Sequence, residues 1–200
     1  LRRSRRSVPL AGNQQVPIGI AKPDKGAAAD IGHVAVDFGA HPAQVRRIQE
    51  QGSALGNHTW SHPLPSDLSA PQLAEQLRRT DEVLADPANG TPPVLFRPPY
   101  GALPPGPCAW PDSPNLTTVF WDVDSKDWSM PGADAIIRTV LDRVRPGSIV
   151  LMHDGGGVRS QTVDALPAII ETLLAQDLQL VRVDDLVGIA TTPAEELGQR

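Results

Sequence analysis

Between residues 33 and 189, short apolar runs of strand length alternate with segments of helical periodicity, an order that leaves few architectures open. Residues 33–39 (HVAVDFG) alternate apolar and polar like a strand, and Pro42 opens a helix through Val45 and Ile48 that ends at Gly52. Residues 53–57 form the next strand candidate. Ser69 and Pro71 then read as the cap and first turn of a helix that carries Leu73, Leu77 and Leu84 on one face and closes near Pro87 and Gly90. Strands are expected at 94–96, 117–121, 148–152 and 178–183, and helices at 133–144, 162–175 (with Pro167 inside) and 184–189. The run Ile149-Val150-Leu151-Met152 is apolar enough for burial on both faces. Such alternation predicts an α/β fold with a parallel sheet, whose chemistry collects at the carboxyl ends of the strands.

The polar residues fall at those ends. His58 and His62 follow one expected strand, Arg97 to Gly101 another, Asp122 to Trp128 a third, and His153 with Asp154 a fourth. His58 and His62 are two of only 5 histidines and lie four residues apart behind Gly56-Asn57. On one helical face or in a tight loop that spacing brings two imidazoles to one metal ion, and neutral imidazole is the commonest ligand for zinc and its neighbours. On the pair alone, ordinary surface or capping histidines are as good a reading.

Composition removes several alternatives. A net charge of −5 and the confinement of the basic cluster to Arg2, Arg3, Arg5 and Arg6 give no electrostatic footprint for nucleic acid. The single cysteine, Cys108, excludes an intrachain disulfide and a multi-cysteine metal site. No window spans a membrane, and no apolar segment follows the arginines as in a signal peptide. The 21 prolines imply many loops. Residues 1–30 read as a poorly ordered tail or degraded first-strand region, 31–190 as the catalytic domain and 191–200 as a second tail. The chain begins with Leu1 and not methionine, as a fragment or processed form does.

In the order HTWSH, RPPYG, DSKDW and LMH, the motifs at the strand ends resemble motifs two to five of the polysaccharide deacetylases, the NodB-like carbohydrate esterases of family four. The resemblance covers about residues 33 to 190. It implies a distorted and incomplete (β/α) barrel that removes acetyl groups from chitin, peptidoglycan, xylan or a related polymer with a divalent metal. Zinc comes first and cobalt or nickel are possible, since their donor preferences overlap. Carried over by residue, His58 and His62 are the metal ligands. The Tyr100 backbone N–H holds the oxyanion, His153 is the general acid, and Asp127 orients it and keeps it charged. Trp128 and Leu151 wall the acetyl methyl, and Trp60 is a weaker candidate for a sugar-facing surface. The implied partner is an acetylated polysaccharide or oligosaccharide, and the protein is expected to be a monomer. By resemblance the setting is extracellular or the cell envelope.

Two departures from the family pattern carry expectations of their own. The first family motif, Thr-Phe-Asp-Asp-Gly-Pro, which supplies the catalytic base and third metal ligand, is absent, and this leaves Arg97 without the carboxylate its family role is to pair with. Of the early acids Asp24, Asp30 and Asp37, the last is best placed to substitute. In addition, residues 103–114 carry five prolines where the family carries a helix, so the barrel is expected to be open or poorly packed on that side. A truncated chain would come from an ordinary deacetylase. A complete one would be an impaired esterase or a carbohydrate-binding relic.

Overall fold

The computed structural model of the chain describes residues 15–21, 33–35, 42–85, 92–102 and 116–189. Asp24, Asp30, Asp37, Cys108, the arginine cluster, residues 103–114 and the tail at 191–200 lie outside them, as does the helix end expected near Pro87 and Gly90.

Eight strands form one sheet: β1 (Gln15–Ala21), β2 (His33–Ala35), β3 (Leu55–Asn57), β4 (Leu95–Phe96), β5 (Thr117–Thr118), β6 (Val123–Asp124), β7 (Ile149–His153) and β8 (Gln179–Val181). Five helices accompany them: α1 (Pro42–Glu50), α2 (Ala70–Leu84), α3 (Ala133–Leu141), α4 (Ser160–Ala175) and α5 (Val183–Val187). The strands from β2 to β5 pair in parallel in chain order, and β6 pairs in parallel with β7. This is the α/β sheet expected from the strand and helix alternation, in the incomplete barrel that the family resemblance implies.

β1 corrects the expectation of a parallel sheet. It lies inside the segment read as a poorly ordered tail or degraded first-strand region, and it runs against the sheet: antiparallel to β7 along one edge, and to β2 and then β8 along the other. All other described strands therefore share one direction. The sheet path ends at β5 and β6, with no ladder joining these two among the described residues, so the barrel is open there. β6 itself had no counterpart in the sequence pattern because Val123 stands alone between Asp122 and Asp124-Ser125, with no apolar run or alternation to mark it. The strands from β3 onward and the last three helices are shorter at one or both ends than their expected ranges, except that β7 extends to include His153 and α4 starts at Ser160, while residues 36–39 of the first expected strand lie outside the described residues.

Local chemistry explains most of the boundaries. Ser69 and Gln72 form a capping box at the start of α2, where the Ser69 N–H donates to Gln72 Oε1 at 2.9 Å. In α4, Pro167 removes the bond that the carbonyl of Val163 would accept. Val163 is exposed, so solvent can satisfy that carbonyl and the helix continues. The largest apolar cluster packs Ile136 and Val140 of α3 and Ala165, Ile169 and Leu173 of α4 against Val123, Val150, Met152 and Leu180 of the sheet. At about 1.5–3 kcal/mol for each fully buried large aliphatic side chain, this block anchors β6 and β7. A second cluster seats Leu73 and Leu77 of α2 on Phe96 of β4. The two clusters hold the two halves of the site.

Candidate active site

His58 follows β3 directly and is fully buried. Its Nδ1 donates to the carbonyl oxygen of Arg97 at 2.5 Å, which leaves Nε2 as the unprotonated nitrogen. Among the described residues nothing hydrogen-bonds to that Nε2, nor to the buried Nε2 of His62. The two rings sit 4.8 Å apart between centroids at 70°. Burial pushes the His58 pKa well below its ordinary value; the bond to the Arg97 carbonyl opposes this, and the electrostatic influence of nearby His62, Arg97 and His153 adds to it. His62 is lowered as well, by burial and by His153, against a bond with its own backbone. Both imidazoles are thus held in the neutral form that ligates metal.

The spacing works through a turn and not through a helix. Thr59 (φ 66°) and His62 (φ 55°) both adopt left-handed backbone, which folds the segment back within four residues. Asn57, fully buried at the end of β3, accepts from the Thr59 N–H at 2.8 Å and donates to the Leu77 carbonyl (2.8 Å) and to Asp81 Oδ1 (2.7 Å) of α2.

A second constellation faces this one. Asp127 is buried in a short turn, Asp127–Ser129, and its carboxylate accepts three hydrogen bonds. They come from His153 Nδ1 at 2.7 Å, the His153 N–H at 2.7 Å and Thr162 Oγ1 at 2.9 Å. Burial alone would raise the Asp127 pKa, but the His153 and Thr162 bonds and the adjacent imidazole outweigh it and hold the carboxyl below its usual range. With Nδ1 engaged by a carboxylate, Nε2 is the nitrogen of His153 left for substrate.

A cavity of about 400 Å³ joins the two halves and is lined by His62, Tyr100, Trp121, Asp124, Trp128, Leu151 and His153. Tyr100 follows two prolines at φ 60° and sets its ring against His62, with centroids 4.7 Å apart. Trp128 is half exposed and Leu151 buried, so the wall offers one solvent-facing and one buried apolar surface. Trp60 is not part of the lining; the Arg79 guanidinium lies over its ring at 4.4 Å.

Arg97 is the anomaly. Its side chain is 1% exposed, and Nε, Nη1 and Nη2 have no acceptor among the described residues. Its nearest charge-stabilising neighbour is the Trp121 ring, 5.6 Å from the guanidinium carbon, and burial pulls its pKa down to about 9. No third histidine, cysteine or carboxylate joins His58 and His62 among the described residues. The two unsatisfied Nε2 atoms nevertheless fit a cation, since neutral imidazoles suit zinc, cobalt or nickel and each orphaned buried acceptor costs about 1–3 kcal/mol without a partner.

Sequence reasoning missed Trp121 and Asp124 as cavity residues. Asp124 lies within the DSKDW motif, so its position was visible but had no role attached; Trp121 ends a run read only as a strand.

The chain is similar to known proteins. The polysaccharide deacetylase family profile matches residues 30–108. A peptidoglycan-N-acetylglucosamine deacetylase of Bacillus cereus is 36% identical over 146 residues, covering 72% of this chain and 53% of the relative. A chitooligosaccharide deacetylase of Rhizobium leguminosarum bv. trifolii is 33% identical, with 70% of each chain covered. The crystal structure of the Bc1960 peptidoglycan N-acetylglucosamine deacetylase in complex with 4-naphthalen-1-yl-N-oxidanyl-benzamide superposes with a TM-score of 0.72 at 30% identity, covering 80% of this chain and 78% of that one. The chain thus spans about half the length of the Bacillus cereus relative. With a relative one third identical over most of its length and a superposable barrel, the chain belongs to the polysaccharide deacetylase family.

Proposed function

We propose that this site removes acetyl groups from an acetylated polysaccharide of the chitin, peptidoglycan or xylan type. The observation that carries the reading is the Asp127–His153 pair, which shares one cavity with the half-buried, neutral His62 of the histidine turn. A divalent cation held by His58 and His62, zinc first and cobalt or nickel as alternatives, supplies Lewis-acid polarisation of a carbonyl and easier deprotonation of water.

The chain's own residues account for the remaining requirements. Leu151 and Trp128, with Trp121, receive the acetyl methyl group on apolar surface. The Tyr100 N–H donates to the oxygen that gains charge as water adds to the acetyl carbonyl. His153 delivers a proton from Nε2 to the leaving nitrogen or oxygen as the bond to the acetyl carbon breaks, and Asp127 stabilises its charged form. Acetate and a free amine or alcohol are the products. Asp37 remains the best-placed early acid for the base and third ligand. The substrate places the protein at the cell envelope or outside the cell, acting as a monomer.

A second reading is supported by Arg97. A buried guanidinium with no acceptor among the described residues, beside a two-histidine cluster, suits an impaired relic that holds carbohydrate without cleaving it. Acetate release from an N-acetylglucosamine oligomer separates the two. Release that a chelator abolishes supports the esterase; retention of the oligomer with no acetate supports the relic, and release indifferent to chelator sinks the metal-dependent reading.

A further inference from the structure

The turn that carries the histidine pair is strained, and what holds it lies on α2. Thr59 and His62 sit at φ 66° and 55°, a region that costs a non-glycine residue about 1–2 kcal/mol. A turn of this kind persists only where its surroundings fix it. Three successive backbone N–H groups inside it are caught by side chains. Asn57 Oδ1 accepts from Thr59, and Gln76 Oε1 accepts from both Trp60 (2.9 Å) and Ser61 (2.8 Å). Gln76 Nε2 donates in addition to Ser61 Oγ at 3.0 Å, so both ends of one amide are committed to the turn.

Gln76 is itself well anchored. It lies between Leu73 and Leu77, which are buried against Phe96, and its carbonyl accepts from Thr80 Oγ1 at 3.0 Å. The aromatic side of the turn is pinned from the same helix, where Arg79 stacks on Trp60. His58 is fixed independently by Arg97. Among the described residues His62, by contrast, is placed by the turn, a bond with its own backbone and ring contacts with His58 and Tyr100. The clamp on residues 60 and 61 is therefore what sets His62 relative to His58.

We propose that Gln76 is a positioning residue for the two-histidine cation site, acting on His62 through the Trp60 and Ser61 amides; this rests on the metal reading given above. The geometry needs an acceptor that reaches two amides at once, which glutamate also provides and alanine does not. Groups that support metal ligands at one remove typically change affinity about 10–100-fold when removed.

The test uses the full chain, the variants Gln76→Ala and Gln76→Glu, and zinc alone as the probe. Zinc affinity is measured by competition with a chromophoric chelator, and amide hydrogen exchange is followed without metal. Gln76→Ala should bind zinc at least about tenfold more weakly and lose protection at the Trp60 and Ser61 amides while keeping it at Thr59. Gln76→Glu should stay near wild type in both. Equal zinc affinity in wild type and Gln76→Ala overturns the proposal, as does a Gln76→Glu variant as impaired as Gln76→Ala. Unchanged exchange at residues 60 and 61 in Gln76→Ala overturns it too, and that measurement needs no metal. A wild type that binds no zinc at all overturns both the metal reading and the positioning role built on it, whereas selective loss in Gln76→Ala alone leaves the metal reading standing.

Discussion

Arg97 donates nothing from its guanidinium among the described residues, yet its carbonyl oxygen fixes the tautomer of His58. One residue thus prepares a ligand with its backbone while burying an uncompensated charge with its side chain. Leaving such a charge unpaired is expensive, and an apolar replacement of similar length removes the cost while keeping the carbonyl. Arg97→Met is expected to raise stability by about 1–3 kcal/mol, read from urea unfolding. A loss of stability instead would show that an acid outside the described residues pairs with Arg97.

His58 and His62 have equal chemistry but unequal support, and substitution should show it. His58→Ala removes a fully buried ring whose loss leaves a cavity, so it should abolish zinc binding and cost about 2–4 kcal/mol of stability. His62→Ala, half-buried on a turn, should abolish zinc binding with a much smaller change in unfolding midpoint. Zinc titration alongside thermal melts checks both, and retained zinc affinity in either variant would refute the assignment of that residue as a ligand.

Asp127 gives a pH-dependent prediction. Its folded pKa lies below the ordinary value of 3.8, so the unfolded chain binds more protons through the acid range. The stability it contributes is complete above the ordinary carboxylate range and is lost as pH falls through the depressed folded value. Asp127→Asn should therefore flatten the stability profile below about pH 4, the window in which a depressed carboxylate releases its contribution. The same variant should lower acetate release by about two to four orders of magnitude, because His153 loses the partner of its charged form. Parallel acid titrations of the two proteins, with equal slopes below that pH, would contradict the assignment.

Gly101 predicts how the wall of the cavity is built. It sits at φ 64°, and a Cβ there would approach Trp121 Cη2 to 2.8 Å. Gly101→Ala should displace the Trp121 ring, raise KM for an acetylated oligomer, and cost about 1–3 kcal/mol from backbone strain and overpacking. Intrinsic tryptophan fluorescence and steady-state kinetics report the two effects; an unchanged KM would remove Trp121 from the substrate wall.

Much of this was readable from the chain because the residues concerned stand where local pattern and function coincide. His58, Arg97 and His153 each close an apolar run that has to be a buried strand, so their placement at one end of a sheet follows from burial alone. Asp127 could be joined to His153 only through the motif order, since 26 residues separate them and no periodicity links the two. β1 was invisible for a different reason. Its sequence, QVPIGIA, contains a proline and a glycine, both poor strand formers, and only pairing with β7 and β8 recruits it. Gln76 was hidden too, because a polar residue on an amphipathic helix reads as solvent-facing until the turn above it is in place.

His153 closes β7, in register with its neighbours, whereas Tyr100 itself adopts left-handed backbone in a short turn and Trp128 sits in a short turn bordered by left-handed Lys126 and Met130. In the proposed reading the proton donor is therefore held by the sheet, while the oxyanion donor and the outer acetyl wall are held by turns. Reshaping either turn for another polymer then reaches the chemistry as well, because Asp127 opens one of them and the Tyr100 N–H lies in the other.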